Sequence, residues 1–147
     1  MSKNILLVFG IIAIIILLVI FMLNMPSKKG SISILRVGWR QYDVEIADTM
    51  MKQVKGLSSR SSLASANGML FVFASSSMQS FWMHGMLIPL DFVWINQGQV
   101  IGITENVSAD SKAIYRSPQP ANQVLELNAG VVARDGIKVG DIVELKI

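Results

Sequence analysis

An unbroken apolar run, Ile5 to Leu23, constrains this chain more than any other feature. It has nineteen residues without a charged or amide side chain, and sixteen of them are Ile, Leu, Val or Phe. As a helix rising about 1.5 Å per residue, the run spans roughly 28 Å, close to the hydrocarbon thickness of a bilayer. A soluble helix of this length would carry a polar face. Residues 1–24 are therefore predicted to form a transmembrane anchor, with the lipid bilayer as a partner.

A cleaved signal peptide is the alternative interpretation of this segment. A secretory apolar region is usually about 7–15 residues long and ends near a site of small residues. This run is longer and continues into polar residues without such a site. We expect an uncleaved anchor followed by a linker, residues 25–30. Charge alone leaves the orientation open, because Lys3 precedes the run while Lys28 and Lys29 follow it.

Residues 31–147 provide enough chain for one domain. Beyond Lys3 the chain carries twelve basic and ten acidic residues, so this domain is nearly neutral. No basic patch alternates with aromatic residues, and no nucleic-acid partner is expected. The chain has no cysteine, which excludes disulfides, thiolate metal sites and thiol catalysis.

Apolar patterning over this domain predicts many short strands between Gly, Asn and Ser turns. A short helix is expected after Asp48 or Thr49, either of which can cap it, and Gly56 ends it. One or two helical turns are expected near Ala129, while residues 58–66 and 74–80 read as loops. The predicted fold is mainly β, a small sandwich or partly closed barrel with one or two short helices behind the anchor. The predicted strands are 32–37, 41–46, 69–73, 90–95, 100–103, 124–127 and 142–147.

Six motifs in a fixed order link the chain to a known family. They are Val44-Glu45-Ile46-Ala47-Asp48-Thr49, Gly56-Leu57 with Arg60, Gly68-Met69-Leu70-Phe71-Val72-Phe73, Phe81-Trp82-Met83 with Ile88-Pro89-Leu90-Asp91, Val124-Leu125-Glu126-Leu127-Asn128-Ala129-Gly130, and Gly136-Ile137-Lys138-Val139-Gly140-Asp141. Together, over residues 41–147, they resemble the family called domain of unknown function 192.

The resemblance implies a compact β-rich domain behind a signal or membrane anchor, outside the cytoplasm. It implies no reaction, because the family has no established activity. The chain departs from the family pattern at two places. His84-Gly85-Met86 stands where Lys-Asn-Thr is usual, and Ser58 stands where Met is common.

Asp91 and Arg60 are candidate ligand-binding residues. Asp91 is predicted to share a strand face with Val93 and Ile95, and a carboxylate among apolar neighbours requires a partner. It can act as a general base or ligand contact, or accept hydrogen bonds near the Pro89 turn or pair with Arg60. Arg60 can bind an anionic group through its fork of donors, or make a structural salt bridge, which we favour.

Trp82 and Glu126 complete the set of candidates. Trp82 is expected to point away from Phe81 and Met83, because adjacent strand residues face opposite ways. An exposed Trp82 could stack on a sugar ring, although a place in the core is the more common outcome. Glu126 is expected on the outer face of its strand if Leu125 and Leu127 point inward.

His84, the only histidine, has no partner at a metal-ligand spacing. The sequence therefore predicts no metal site and no cofactor. The serines also lack the context of a nucleophile elbow.

Three classes of function remain open. The first is a binding module for a polar cell-envelope ligand, carbohydrate included, formed by loops around Arg60, Trp82 and Asp91. The second is a scaffold or accessory partner of another membrane protein. The third is a carboxylate-assisted hydrolase using Asp91 with Glu105, Glu126 or Asp141. We favour the binding module, on a single-pass protein of the cell membrane with its C-terminal domain extracytoplasmic.

Overall fold

The computed structural model describes Ile12, residues 14–17 and residues 32–146. Within that part of the chain, no helix has both the length and the apolar character needed to cross a membrane. The predicted anchor, Ile5 to Leu23, lies outside the described residues apart from Ile12 and residues 14–17, which are helical and exposed. The predicted linker, residues 25–30, lies outside them as well.

Residues 32–146 form a mainly β domain. Its strands are β1 (Ile32–Val37), β2 (Arg40–Ala47), β3 (Asn67–Ser77), β4 (Ser80–Phe81), β5 (Leu90–Asn96), β6 (Gln99–Val107), β7 (Tyr115–Arg116), β8 (Ala121–Asn128) and β9 (Val143–Lys146). Its helices are α1 (Met50–Lys55) and α2 (Val131–Asp135). Seven strands make one sheet in the order β6-β5-β8-β3-β2-β1-β9, and β4 pairs with β7 in a separate ribbon. The prediction of a mainly β fold with short helices is confirmed.

The seven-stranded sheet curls until its two edges touch. Val100 N–H donates to Asp141 O at 2.9 Å, and Val143 N–H donates to Gly98 O at 2.8 Å. These bonds join the start of β6, at one edge, to the chain entering β9, at the other edge. The sheet is therefore a half-barrel, the partly closed form among the predicted architectures.

Apolar residues cover both faces of this sheet. One cluster, the inner core, fills the concavity between the sheet and α2. The other, the outer core, lies on the opposite face beneath the segments around Leu57, Met83 and Tyr115. Strand β5 is buried along nearly its whole length because each face meets one cluster. Val93, Ile95, Leu125 and Leu127 belong to the inner core, whereas Phe71, Leu90, Phe92, Trp94 and Val124 belong to the outer core.

Helix α1 forms where the sequence predicts it, but it exposes its apolar residues. Thr49 caps it, because its side chain accepts from Lys52 N–H, and Gly56 ends it at φ 48°. Both features match the expected capping chemistry. Met50, Met51 and Val54 are nevertheless 78%, 83% and 75% exposed, and no residue of α1 is buried. The helix therefore presents an apolar surface to its surroundings.

The predicted loop at residues 74–80 is wrong over its first half, because β3 continues to Ser77. Strand β8 supplies the partner, with Ala121 opposite Ser77 after an irregularity in register. The hairpin between β5 and β6 is confirmed. Its central residues, Gln97 and Gly98, have φ of 49° and 74°, the positive values that a two-residue hairpin turn requires.

Candidate functional site

Asp91 is fully buried on β5 and faces the inner core beside Val93 and Ile95, as the alternation predicts. One carboxylate oxygen accepts the backbone N–H of Asn106 at 2.8 Å, and the other accepts that of Val132 at 2.9 Å. The second bond satisfies an N–H in the first turn of α2, where Gly130 has no side chain to cap the helix. Both oxygens of Asp91 are thus engaged in holding β6 and α2 to β5.

Arg60 forms a two-pronged ion pair with Glu45 rather than with Asp91. Its Nη1 donates to Glu45 Oε1 and its Nη2 donates to Oε2, the latter at 2.8 Å. The hydrogen bond from Arg60 is the main cause that lowers the pKa of Glu45. Both side chains are about one-third exposed. The pair ties the segment after α1 to β2, and the guanidinium fork is already occupied.

Glu126 differs from both of these groups because its carboxyl is buried without a partner. It is only 5% exposed, and its Oε2 has no hydrogen-bond partner among the described residues. It lies between Leu125 and Leu127, whose side chains enter the inner core, so Glu126 points to the outer-core face with Val124. Glu126 does point away from Leu125 and Leu127, but the face expected to be the outer one is covered, and the carboxyl is buried within it.

A cavity of about 190 Å³ opens beside this carboxyl, and we call it the Glu126 cavity. Strands β3 and β8 contribute one side of it. Helix α1 contributes a second side, and β4 with the residues after it contributes a third. The apolar part of its lining is mostly aromatic and thioether, from Phe71, Phe73, Phe81, Trp82, Met50 and Met86. Phe81 contacts Phe71 edge-on, with 4.9 Å between ring centroids, which keeps this wall closely packed.

Burial without a partner governs the ionisation of Glu126. Desolvation raises its pKa from 4.5 to about 8, and no neighbouring charge or hydrogen bond contributes to the shift. The carboxyl is therefore mostly protonated at neutral pH. A strongly shifted carboxyl beside a cavity is a frequent sign of a functional site.

Six polar side chains accompany Glu126 in the lining of the cavity: Gln53, Lys55, Ser58, Gln79, Ser80 and His84. Gln79 is buried, and its Nε2 donates to Ser77 Oγ at 2.9 Å and to Ala121 O at 3.1 Å. Lys55 and His84 also line the cavity, from α1 and from the segment after β4. Both of these side chains are exposed, so they lie towards the mouth.

The fold brings two of the four candidate residues together and places the other two elsewhere. Trp82 and Glu126 line the same cavity, whereas Arg60 and Asp91 do not. Trp82 is 58% exposed, so the expectation that it belongs to the core is wrong, although it does point away from the buried Met83. Asp91 lies opposite Leu127 and Glu126 lies opposite Phe92, so the two carboxyls face opposite sides of the sheet. They do not form the paired acids of a glycosidase.

Gln79 and most of the cavity lining were not predicted from the sequence. The lining depends on β3 continuing into residues assigned to a loop, and on the packing of β4 over the sheet. One signal was present. Glu126 interrupts a strand that is buried on both faces, from Val124 to Leu127, and a carboxyl in such a strand lacks a route to solvent unless a cavity provides one.

A second buried carboxyl that was not predicted from the sequence, Asp135, lies at the end of α2. Tyr42 hydroxyl donates to it at 2.7 Å, and Arg134 donates through Nε at 2.9 Å and Nη2 at 2.8 Å. These hydrogen bonds lower the pKa of Asp135 to about 2, and the bond from Arg134 is the largest cause. Burial and the bond to Asp135 raise the pKa of the Tyr42 hydroxyl. This group is a structural ionic cluster with its partners in place.

Within residues 32–146 and the few described residues before them, no cluster of three or more His, Asp or Glu side chains is arranged to hold a metal ion.

The fold and the cavity define a small half-barrel domain with a cavity on the outer-core face of its sheet. The chain belongs to the DUF192 family, described as uncharacterized ACR, whose sequence profile matches residues 33–145. The resemblance inferred from the six motifs is thereby confirmed.

Two solved structures are similar to this chain. One is a proposed transcription regulator from Sinorhizobium meliloti 1021, with 34% identity and a TM-score of 0.76 over 82% of this chain and 98% of the other. The second is a protein of unknown function from Novosphingobium aromaticivorans DSM 12444, with 33% identity and a TM-score of 0.77 over 82% and 89%. A search of curated proteins gave no match.

Proposed function

We propose that this protein is a binding module whose ligand enters the Glu126 cavity. The ligand has a small apolar body, which contacts the aromatic and thioether lining, and a polar group that bonds to the Glu126 carboxyl. One observation carries the proposal. Glu126 Oε2 is buried beside a cavity of about 190 Å³ without a hydrogen-bond partner among the described residues. An unsatisfied buried polar atom costs roughly 1–3 kcal/mol, which a ligand donor would recover.

The size of the cavity supports a small ligand. An engineered apolar cavity of roughly 150 Å³ binds benzene in another protein. The Glu126 cavity has a volume of about 190 Å³. It can therefore hold a molecule of similar size, or one end of a larger molecule.

Carbohydrate is the second candidate for the ligand, and Trp82 favours it. This indole is 58% exposed at the mouth of the cavity, where it can stack on a sugar ring. A sugar would then lie across the mouth, with one hydroxyl directed towards Glu126. The mainly apolar lining favours the first candidate.

The setting of the module is part of the proposal. The run Ile5 to Leu23 tethers the domain to the membrane, and the half-barrel lies on the extracytoplasmic side, where it meets envelope ligands. The length and composition of the run support the tether. The exposed apolar side chains of α1 support a position close to the bilayer or to another membrane protein.

Thermal stabilisation of the full-length chain tests the binding proposal. The chain is held in lipid nanodiscs, since detergent tails could enter an apolar cavity. It is screened against ring-sized amphipathic molecules and against mono- and disaccharides. A true ligand at about 100 times its Kd stabilises the fold by roughly 2.7 kcal/mol, which raises Tm by several degrees.

Two matched variants of α1 serve as the control for this screen. Val54 lines the cavity and Met51 does not, although both side chains are strongly exposed. Val54→Arg is expected to abolish the stabilisation by obstructing the cavity, while Met51→Arg preserves it. Equal effects of the two substitutions, or no stabilising compound at all, would contradict a ligand in the Glu126 cavity.

A further inference from the structure

The hydrogen-bonding deficit at Glu126 restricts the chemistry of its ligand. A carboxylate accepts hydrogen bonds only, and each of its two oxygens can take more than one donor. No donor of the described residues reaches Oε2. The ligand atom that meets Glu126 must therefore supply donors if the carboxyl is to ionise. An ammonium group supplies several donors and the compensating charge together.

The lining of the cavity suits a cation better than an anion. Phe71, Phe73, Phe81 and Trp82 are all in the lining, and aromatic ring faces attract cations. An anion would meet the same aromatic rings and the Glu126 carboxyl, and the lining side chains that could attract it, Lys55 and His84, are exposed at the mouth.

The geometry points to a compact organic ammonium ion as the ligand of the Glu126 cavity, with its charged nitrogen on the Glu126 carboxylate and its carbon atoms against the aromatic lining. This inference rests on the proposed function and names the class of ligand for the same site.

Binding of such a cation is coupled to the release of a proton. Burial raises the pKa of Glu126 to about 8, so about nine-tenths of the carboxyl is protonated at pH 7. The ammonium keeps its own protons, and the carboxyl proton leaves to solvent as the ion pair forms. Affinity for the cation therefore rises about tenfold between pH 7 and pH 9, as the ionised fraction of Glu126 rises. The other titratable side chains in the lining are Lys55 and His84.

An organic ammonium ion can reach the cavity from two sources. One is a free amine in solution, and the other is the ammonium headgroup of a membrane lipid. The exposed Met50, Met51 and Val54 beside the mouth suit the second source, because they would contact acyl chains when a headgroup enters. The carboxylate and the ring faces recognise the same chemical group in both cases.

Three probes of the same length but different charge test the inference. They are n-butylammonium, n-butanol and butyrate, each titrated into the full-length chain in phosphatidylglycerol nanodiscs, which offer no ammonium headgroup. Binding is followed by NMR through the methionine methyl groups, since Met50 and Met86 line the cavity. Proton release is measured by calorimetry in two buffers of different ionisation enthalpy.

We expect n-butylammonium to bind most tightly and to release close to one proton at pH 7. Glu126→Gln is expected to weaken it at least about tenfold while leaving n-butanol unchanged within about twofold. His84→Gln and Lys55→Met are expected to retain the preference for the cation and the rise in affinity with pH. Loss of the pH dependence in either variant would assign it to that side chain and overturn the coupling to Glu126.

The remaining outcomes separate this inference from the proposed function. Equal or tighter binding of n-butanol or butyrate, or binding of n-butylammonium without proton release, overturns the cation and leaves the binding module intact. Failure of all three probes and of the ligand screen overturns both. A smaller ratio of wild-type to Glu126→Gln affinity in phosphatidylethanolamine nanodiscs than in phosphatidylglycerol nanodiscs assigns the ammonium to a lipid headgroup, because accumulation at the anionic surface affects both proteins equally. An equal ratio assigns it to a free amine, and both results support the cation.

Discussion

Asp91 and Glu126 lie on neighbouring strands of one sheet and are both buried, yet they occupy opposite situations. Asp91 faces the inner core, and backbone N–H groups occupy both of its oxygens. Glu126 faces the outer core, and its Oε2 has no such bond. The first carboxylate holds three elements of the fold together. The second has an oxygen atom beside a cavity that accepts no hydrogen bond from the described residues. Burial alone therefore does not mark a carboxyl as a binding site here, and it is the missing partner that supports the site proposed at Glu126.

Asp135 extends the comparison to ionisation. Its pKa falls to about 2 because Arg134 and Tyr42 donate to it, while the pKa of Glu126 rises to about 8 because burial acts alone. Asp135 is thus charged across the physiological range, whereas Glu126 is mostly neutral at pH 7.

The largest expected effect is the pH dependence that Glu126 imposes on stability. Below pH 4.5 both the folded and the unfolded chain keep this proton. As pH rises the unfolded chain loses it first, so stability falls until the folded-state pKa of about 8 is passed. The free energy of unfolding of the wild type should fall by about 5 kcal/mol between pH 4 and pH 9 relative to Glu126→Gln. Urea unfolding of both proteins measures this, and parallel pH curves would refute the raised pKa.

Asp91→Ala should cost about 4 kcal/mol, because it leaves two backbone N–H groups unsatisfied in a buried site. Chemical denaturation at pH 7 gives the value. Ligand binding by the folded fraction should not change, because Asp91 faces away from the cavity. A loss below about 1 kcal/mol would show that water replaces the carboxylate and would break the contrast with Glu126.

Asp135→Asn should lower the free energy of unfolding by about 2 kcal/mol at pH 7. The effect is no larger because Arg134 is half exposed and solvent screens its ion pair with Asp135. The stabilisation by ionised Asp135 is present above about pH 4 and is lost as pH falls towards 2. The difference between variant and wild type should therefore shrink between pH 5 and pH 2, which acid-range urea unfolding can measure. A difference that stays constant would mean that the packing of Tyr42, rather than charge, is responsible.

Arg60→Met should have the smallest effect, below about 1 kcal/mol, because its ion pair with Glu45 is partly exposed. Thermal unfolding measures the change. Affinity for any ligand of the Glu126 cavity should stay the same, since Arg60 is not in its lining. A large loss of affinity would place Arg60 in the site after all.

Local patterns in the sequence predict much of this fold. Period-two alternation identifies β2, and Thr49 and Gly56 mark the ends of α1, because these signals lie within a few residues of each other. The face of Asp91 also follows from alternation alone. Alternation does not show what covers the other face of the sheet, towards which Glu126 points. Whether Glu126 meets solvent or a cavity depends on β4 and on the end of β3, which are far from it in sequence.

The tertiary surroundings of Arg60 and Trp82 do not follow from local patterns in the sequence either. The sequence allows Arg60 to pair with Asp91, but the fold brings its guanidinium to Glu45 on β2. Trp82 was expected in the core, since a large aromatic residue between Phe81 and Met83 usually packs. The mouth of the cavity leaves it exposed instead.

The pairing of β1 with β9 has a consequence for how the chain reaches its native state. Arg36 and Glu144, joined by a hydrogen bond across these strands, are 108 residues apart. Closing a loop of that length costs about 4 kcal/mol of chain entropy beyond a constant term, and contacts so distant in sequence slow folding. The half-barrel can close only when Val143 to Lys146 pair with β1. Its closure is therefore expected to be a late step of folding.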